Sequence, residues 1–185
     1  MSLVIKNGEI ITADSRYQAD ILVEDQKIKK IGRDLEFPSN AKVVEASGKY
    51  VFPGFIDPHV HIYLPFMGTQ AKDTHETASR AALVGGTTTY IEMLVPSKRD
   101  DLLEAFQLWT NKAKGHSATD YTLHMGVPYF KENTEGQLRE IINEGIASFK
   151  VFLAYKDFFG VNDTDLYRTL SFAKKHGKPA RNITK

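Results

Sequence analysis

The feature that most constrains this chain is a change of rhythm after Val51, where strands stop following strands and begin to alternate with helices. An apolar run over 55–61 leads to a helical stretch over 78–84, preceded by a capping-box pattern at 73–76 and stopped by Gly85-Gly86. Further strands are predicted over 87–95, 120–127 and 147–154. Helices follow them: one capped by Asp100 or Asp101 and ending near Gly115, then 134–144 and 163–176. Strands joined through helices pair in parallel, because only a long crossover brings the chain back in the same direction. A complete eightfold βα barrel takes about 250 residues, so 51–185 is predicted to hold its first four units. Four strands could also make an open doubly wound sheet, but no glycine-rich phosphate loop follows the first of them.

The first fifty residues behave differently. Strands are predicted over 3–11, 21–24, 27–32 and 42–46, with Asn7-Gly8 marking a turn or bulge and Asp25-Gln26 closing a hairpin. Residues 1–50 are therefore expected to form an all-β segment, part of a small composite sandwich, and none of them carries an evident chemical role.

Composition narrows the function. A formal net charge of +1 gives no electrostatic case for nucleic acid or an anionic membrane. No apolar run approaches the roughly 18–20 residues of a membrane span, and no signal peptide is recognisable, so the cytoplasm is the expected compartment. With no cysteine in the chain, disulfides and thiolate metal sites are excluded, and any metal must be held by histidine, carboxylate or an equivalent.

Two side chains fit that requirement. His59 and His61 close the predicted strand over 55–61, and residues two apart in a strand share a face. Both imidazoles could then grip one divalent cation, although the same pair would serve as polar residues on the wet side of an edge strand. Lys150 lies inside an apolar strand between Phe149 and Val151. Those neighbours share the opposite face, which must pack on helices, so Lys150 is expected to point into the barrel. Burial disfavours its ammonium form and leaves an amine that can attack carbon dioxide. The resulting carbamate is an anion with two oxygens, able to bridge two metals about 3.5–4 Å apart.

The string Pro53-Gly54-Phe55-Ile56-Asp57-Pro58-His59-Val60-His61 resembles the signature that opens the barrel of metal-dependent amidohydrolases. The Gly-Gly-Thr-Thr-Thr run at 85–89 and the Ser-Phe-Lys-Val-Phe run at 148–152 match the same superfamily at the expected spacing. The resemblance covers residues 3–177 and is closest to the cyclic amidases, dihydropyrimidinase and hydantoinase. It implies a (β/α)8 barrel binding two divalent cations, zinc or alternatively manganese, with Lys150 as the carboxylated, bridging lysine. It implies that Tyr155 donates to the substrate oxygen as a tetrahedral intermediate forms, and that Phe66 and Met67 line the substrate pocket. It further implies a small cyclic amide as substrate, opened to an N-carbamoyl amino acid, and a homotetrameric assembly. Allantoinase and dihydroorotase share the His-x-His opening, but they usually carry an arginine near residues 63–68, where this chain has none. A non-catalytic scaffold relative would typically lack the histidines or the lysine, which are kept here.

Other candidates are weaker. Asp57 either supports the site, as an acid there does in this family, or forms an outward salt bridge. His75, His116 and His176 are expected at the surface, His124 in a structural role, and 98–101 as a solvated helix entry. The family's two further histidines and its catalytic aspartate follow the fourth strand, and the first of them is expected in a strand just past Gly177. Residues 178–185 contain no histidine, and their polar, basic, proline-containing sequence is not expected to form a barrel strand. The chain therefore reads as an N-terminal fragment, inactive by itself because the base and the second metal's ligands are missing.

Overall fold

Residues 1–66, 68–156 and 158–183 are described by the computed structural model. They divide into two units, Met1–Phe55 and Ile56–Lys185. The first unit is one sheet built from β1 (Ser2–Ile11), β2 (Arg16–Glu24), β3 (Lys27–Gly32), β4 (Lys42–Glu45) and β5 (Tyr50–Val51). The order is β3-β2-β1-β4, with β5 also on β1. β2 runs antiparallel to both β1 and β3, whereas β4 and β5 run parallel to β1. Asn7 adopts a left-handed φ of 58° where the β1–β2 register slips, and its amide donates to Asp20 Oδ1 at 2.8 Å. Asp25 and Gln26 have φ of 49° and 64°, the paired left-handed residues that a two-residue hairpin between twisted strands requires.

The second unit alternates as the sequence predicts. Its elements are β6 (Phe55–Val60), β7 (Pro65–Phe66), β8 (Thr69–Gln70), α1 (His75–Val84), β9 (Thr87–Leu94), α2 (Leu102–Ala113), β10 (Asp120–Gly126), α3 (Thr134–Asn143), β11 (Phe149–Phe152), α4 (Asp163–Lys175) and β12 (Ala180–Ile183). β7 and β8 form a short hairpin, while the main sheet runs β12-β11-β10-β9-β6. The pairs β9–β10, β10–β11 and β11–β12 are parallel, giving the α/β half-barrel pattern. Helices α1, α2 and α4 start where side chains satisfy free amides: Thr74 caps α1, Asp101 accepts from Leu103 and Glu104 ahead of α2, and Asn162 accepts from Asp165 ahead of α4. No helix among the described residues is long and apolar enough to cross a membrane.

Alternation along the strands decides what each face meets. Leu94, Leu123, Met125, Phe149 and Val151 are buried in one cluster with Phe106, Leu138 and Phe172 from the helices. Each such burial contributes roughly 1.5–3 kcal/mol. Intervening residues, His124 and Lys150 among them, therefore occupy the other face of the sheet. The tail corrects the sequence expectation, because Ala180–Ile183 does pair with β11, in register Phe149 with Ala180 through Phe152 with Ile183. Phe149 donates to the carbonyl of Pro179 at 3.1 Å, so the strand begins after the proline. The pairing with β11 is made by backbone groups, so polar side chains do not prevent it.

Candidate metal centre

His59 is the penultimate residue of β6 and His61 follows its end. Their rings meet at 66° with centroids 5.1 Å apart, and the two Nε2 atoms are separated by 3.2 Å. The Asp57 carboxylate accepts the His59 amide at 3.1 Å, which holds the chain in place as it reaches the pair. His61 is depressed to about 4 by desolvation, then by the charges of Lys150 and His59, so its imidazole is neutral at ordinary pH.

Lys150 is 1% exposed at the centre of β11. Its Nζ is shielded from water, has no hydrogen-bond partner, and lies 4.7 Å from the centre of the Phe152 ring. Burial alone lowers its pKa to about 8, bringing the free amine within reach of neutral pH. A buried amine with no acceptor is rarely left uncompensated in a folded protein. Among the described residues no three His, Cys, Asp or Glu side chains gather in one place. Two imidazoles and a lysine are therefore the chemical material of this end of the sheet.

The donor set suits a cation. With zinc–nitrogen bonds of about 2.0–2.1 Å, Nε2 atoms as close as these subtend about 100° at a shared ion, near the tetrahedral value. The remaining requirement is an anion, and Lys150, on β11, offers an unpartnered nitrogen from which to make one.

The other predicted residues divide. Tyr155 lies in the loop leaving β11, with a left-handed φ of 58° and its residue 46% exposed. Its carbonyl accepts the amides of Phe158, Phe159 and Gly160 at 2.9–3.0 Å, which fixes the loop. Phe66 closes β7, paired with Thr69, while Met67 lies outside the described residues. His124 is buried, as a structural residue should be, with Nε2 3.2 Å from the carbonyl of Pro58 and Nδ1 against Ser148 Oγ. His116 is exposed, as expected. His75 and His176 correct the sequence expectation of surface residues. His176 is half-buried, its ring 4.3 Å from that of Phe172 at the end of α4. His75 is fully buried, because Tyr90 and Glu92 from β9 close over it. Glu92, also without solvent exposure, was not a candidate. A lone carboxylate within the run Tyr90-Ile91-Glu92-Met93-Leu94 was the available signal. A recess of about 380 Å³ between α3 and α4, lined by Phe130, Tyr167, Arg168 and Phe172, includes none of the metal-site candidates.

Comparison with known proteins places this geometry in context. The sequence profile of the Amidohydrolase family matches residues 50–181. A D-hydantoinase of Geobacillus stearothermophilus is 47% identical over 96% of this chain and 38% of its own length. A dihydropyrimidinase of Rattus norvegicus is 38% identical over 97% of this chain and 36% of its own. The solved structure of a D-hydantoinase (dihydropyrimidinase) from Thermus sp. superposes with a TM-score of 0.94 at 64% identity, covering 97% of this chain and 39% of that one. The chain thus spans well under half the length of these relatives.

Proposed function

The chain belongs to the amidohydrolase family, and from that premise we propose that it is part of a metal-dependent cyclic amidase. The reaction is hydrolytic opening of dihydropyrimidine or hydantoin rings to N-carbamoyl amino acids. The observation that carries this reading is the approach of His59 and His61 through their Nε2 atoms beside the orphaned, buried Nζ of Lys150.

His59 and His61 would hold one divalent cation, zinc or alternatively manganese, and Lys150, carboxylated by carbon dioxide, would face two. When bound, the cations polarise the ring carbonyl and make a hydroxide available near neutral pH. The neutral state of His61 keeps its lone pair free for this task. Carboxylation would join the neutral amine nitrogen to the carbon of carbon dioxide and release one proton, giving a carbamate whose negative charge the cations would neutralise. The Tyr155 hydroxyl would donate to the carbonyl oxygen as it gains charge, on a loop that its own backbone carbonyl ties down. Phe66 and Met67 would discriminate the substituent on the ring. The role of base is assigned to no carboxylate of these residues, and the 185-residue chain alone is expected to show negligible turnover.

The test is intact-mass and metal analysis of the chain incubated with zinc and bicarbonate. We expect a mass gain of one carbon dioxide, absent from Lys150→Met, and zinc retention that falls in His59→Ala and His61→Ala. Unmodified Lys150 together with unchanged zinc retention in both histidine variants would sink the proposal. Hydantoin and dihydroorotate, compared as ligands, separate the cyclic amidase from the dihydroorotase class.

A further inference from the structure

Glu92 has no place in the chemistry described so far, yet it is the carboxylate most completely removed from water beside that site. On β9 it shares the helix-facing side with Tyr90 and Leu94. Its Oε1 accepts the amide of Ile62 at 3.2 Å, one residue beyond His61. Its Oε2 stands 3.3 Å from Nε2 of His75, and the Trp109 indole N–H also faces the carboxyl.

The proton positions follow from the chain of contacts. Ser117 Oγ donates to the carbonyl of Thr119 at 2.9 Å, and the Tyr90 hydroxyl donates to Ser117 Oγ at 3.0 Å. With its own proton committed, the Tyr90 oxygen can only accept from His75 Nδ1, 2.9 Å away. His75 then presents a lone pair at Nε2. A carboxylate facing it would set lone pair against lone pair, whereas a carboxylic acid places its O–H there. Burial acts in the same sense, pushing Glu92 up to about 8 and His75 down to about 4.

The chain that Glu92 holds is bent. Ile62 is 1% exposed, and Tyr63, next to it, has a left-handed φ of 53°. That conformation is uncommon for a bulky side chain and persists only where the surroundings enforce it. The Tyr63 ring is flanked by His75, 5.7 Å between centroids, and by Lys112 Nζ at 5.0 Å. The bend is therefore gripped through a backbone amide on one side and a ring on the other.

We propose that Glu92 is a positioning residue: through the Ile62 amide it fixes the bend after His61 and so the direction in which His61 presents Nε2. The effect on a cation rests on the assignment of His61 made above, whereas the effect on the bend does not. As a neutral acid, Glu92 offers one acceptor to Ile62 and one donor to His75. A glutamine offers the same two groups, and a methionine of similar length offers neither.

The experiment compares the unmodified chain with Glu92→Gln and Glu92→Met. Amide exchange at Ile62 and the ring signals of His61 are followed by NMR, and zinc affinity by titration. In the unmodified chain the Ile62 amide is expected to exchange far more slowly than amides of exposed loops. Glu92→Gln should keep that protection and the zinc affinity. Glu92→Met should lose the protection, shift the His61 ring signals and weaken zinc by about 10–100-fold, the range for losing a partner that orients a metal ligand. Fast exchange at Ile62 in the unmodified chain overturns the proposal even if Glu92→Met does not fold. Unchanged Ile62 protection in a folded Glu92→Met overturns it too. Absence of zinc binding by the unmodified chain, with the Ile62 and His61 effects intact, overturns the metal assignment and leaves the positioning of the bend standing.

Discussion

Nε2 of His75 and Oε2 of Glu92 lie 3.3 Å apart, with both side chains wholly shielded from solvent. Burial raises Glu92 from 4.5 to about 8, against the opposing pull of the Ile62 amide, the Trp109 indole N–H and the Lys112 charge. It lowers His75 from 6.5 to about 4, and the charges of His116 and Lys112 push the same way. The pair is therefore held neutral, and stability should carry its signature.

A group whose folded pKa is raised stabilises the fold at low pH and loses that contribution as pH climbs through the folded value. His75, lowered, does the reverse between about 4 and 6.5. The two effects oppose each other from 4.5 to 6.5, and above 6.5 only Glu92 is still changing. Stability from this pair should fall between pH 6.5 and 8, by about 2 kcal/mol in all. Urea unfolding across that window checks it. Glu92→Gln should flatten the decline, and a decline that persists in the variant would assign it to other groups.

Lys150→Met should separate stability from function. The substitution keeps the length of the side chain and removes a buried nitrogen that has no acceptor. In buffer freed of carbon dioxide and metal, the variant should be more stable by about 1–3 kcal/mol, the cost of an unsatisfied buried polar group. It should also lose the capacity for carboxylation. Denaturant midpoints decide the first point, and a clear loss of stability would mean that Lys150 has an acceptor in solution.

Gly126 ends β10 beside Lys150 in the register of the sheet. A Cβ built there would stand 2.4 Å from the carbonyl oxygen of Leu94 and 2.9 Å from Cδ of Pro96. Backbone cannot retreat by that much without parting β10 from β9. Gly126→Ala is expected to lower stability by about 1–3 kcal/mol. A thermal midpoint equal to that of the unmodified chain would show that the strands separate more easily than their contacts suggest.

His124 joins Pro58 to Ser148 across the interior side of the sheet. Its Nε2 donates to the Pro58 carbonyl at 3.2 Å and its Nδ1 takes the Ser148 hydroxyl, which together fix the tautomer. His124→Leu would leave the buried Ser148 hydroxyl without this partner and strip a hydrogen bond from the Pro58 carbonyl. The expected loss is about 1–3 kcal/mol, read as a lower urea midpoint at unchanged slope.

These residues show what the sequence could and could not reveal. Periods of two and of 3.6 marked strands and helices, since each element buries one face, and Lys150 was located by the same logic from Phe149 and Val151. The strand β12 escaped because backbone groups make its pairing with β11, and a polar sequence does not announce them. His75 looked like a surface residue at a helix start. Its burial depends on Tyr90 and Glu92, fifteen and more residues away, which local pattern does not encode. Glu92 escaped for the same reason, because its partners are the Ile62 amide and a histidine from another element.

The same contrast decides the metal experiment. His59 and His61 would touch the cation, whereas Glu92 reaches it only through the chain. Removing either imbidazole leaves a single nitrogen where two now stand 3.2 Å apart. His59→Ala and His61→Ala should each weaken zinc by more than the about 10–100-fold expected when a supporting partner is lost. Imidazole donors favour zinc over calcium or magnesium, so neither of those ions should compete. Titration of zinc into the chain in bicarbonate buffer gives the ranking. Were Glu92→Met to cost as much as His61→Ala, the cation would have to be sought on the Glu92 side of β9 instead.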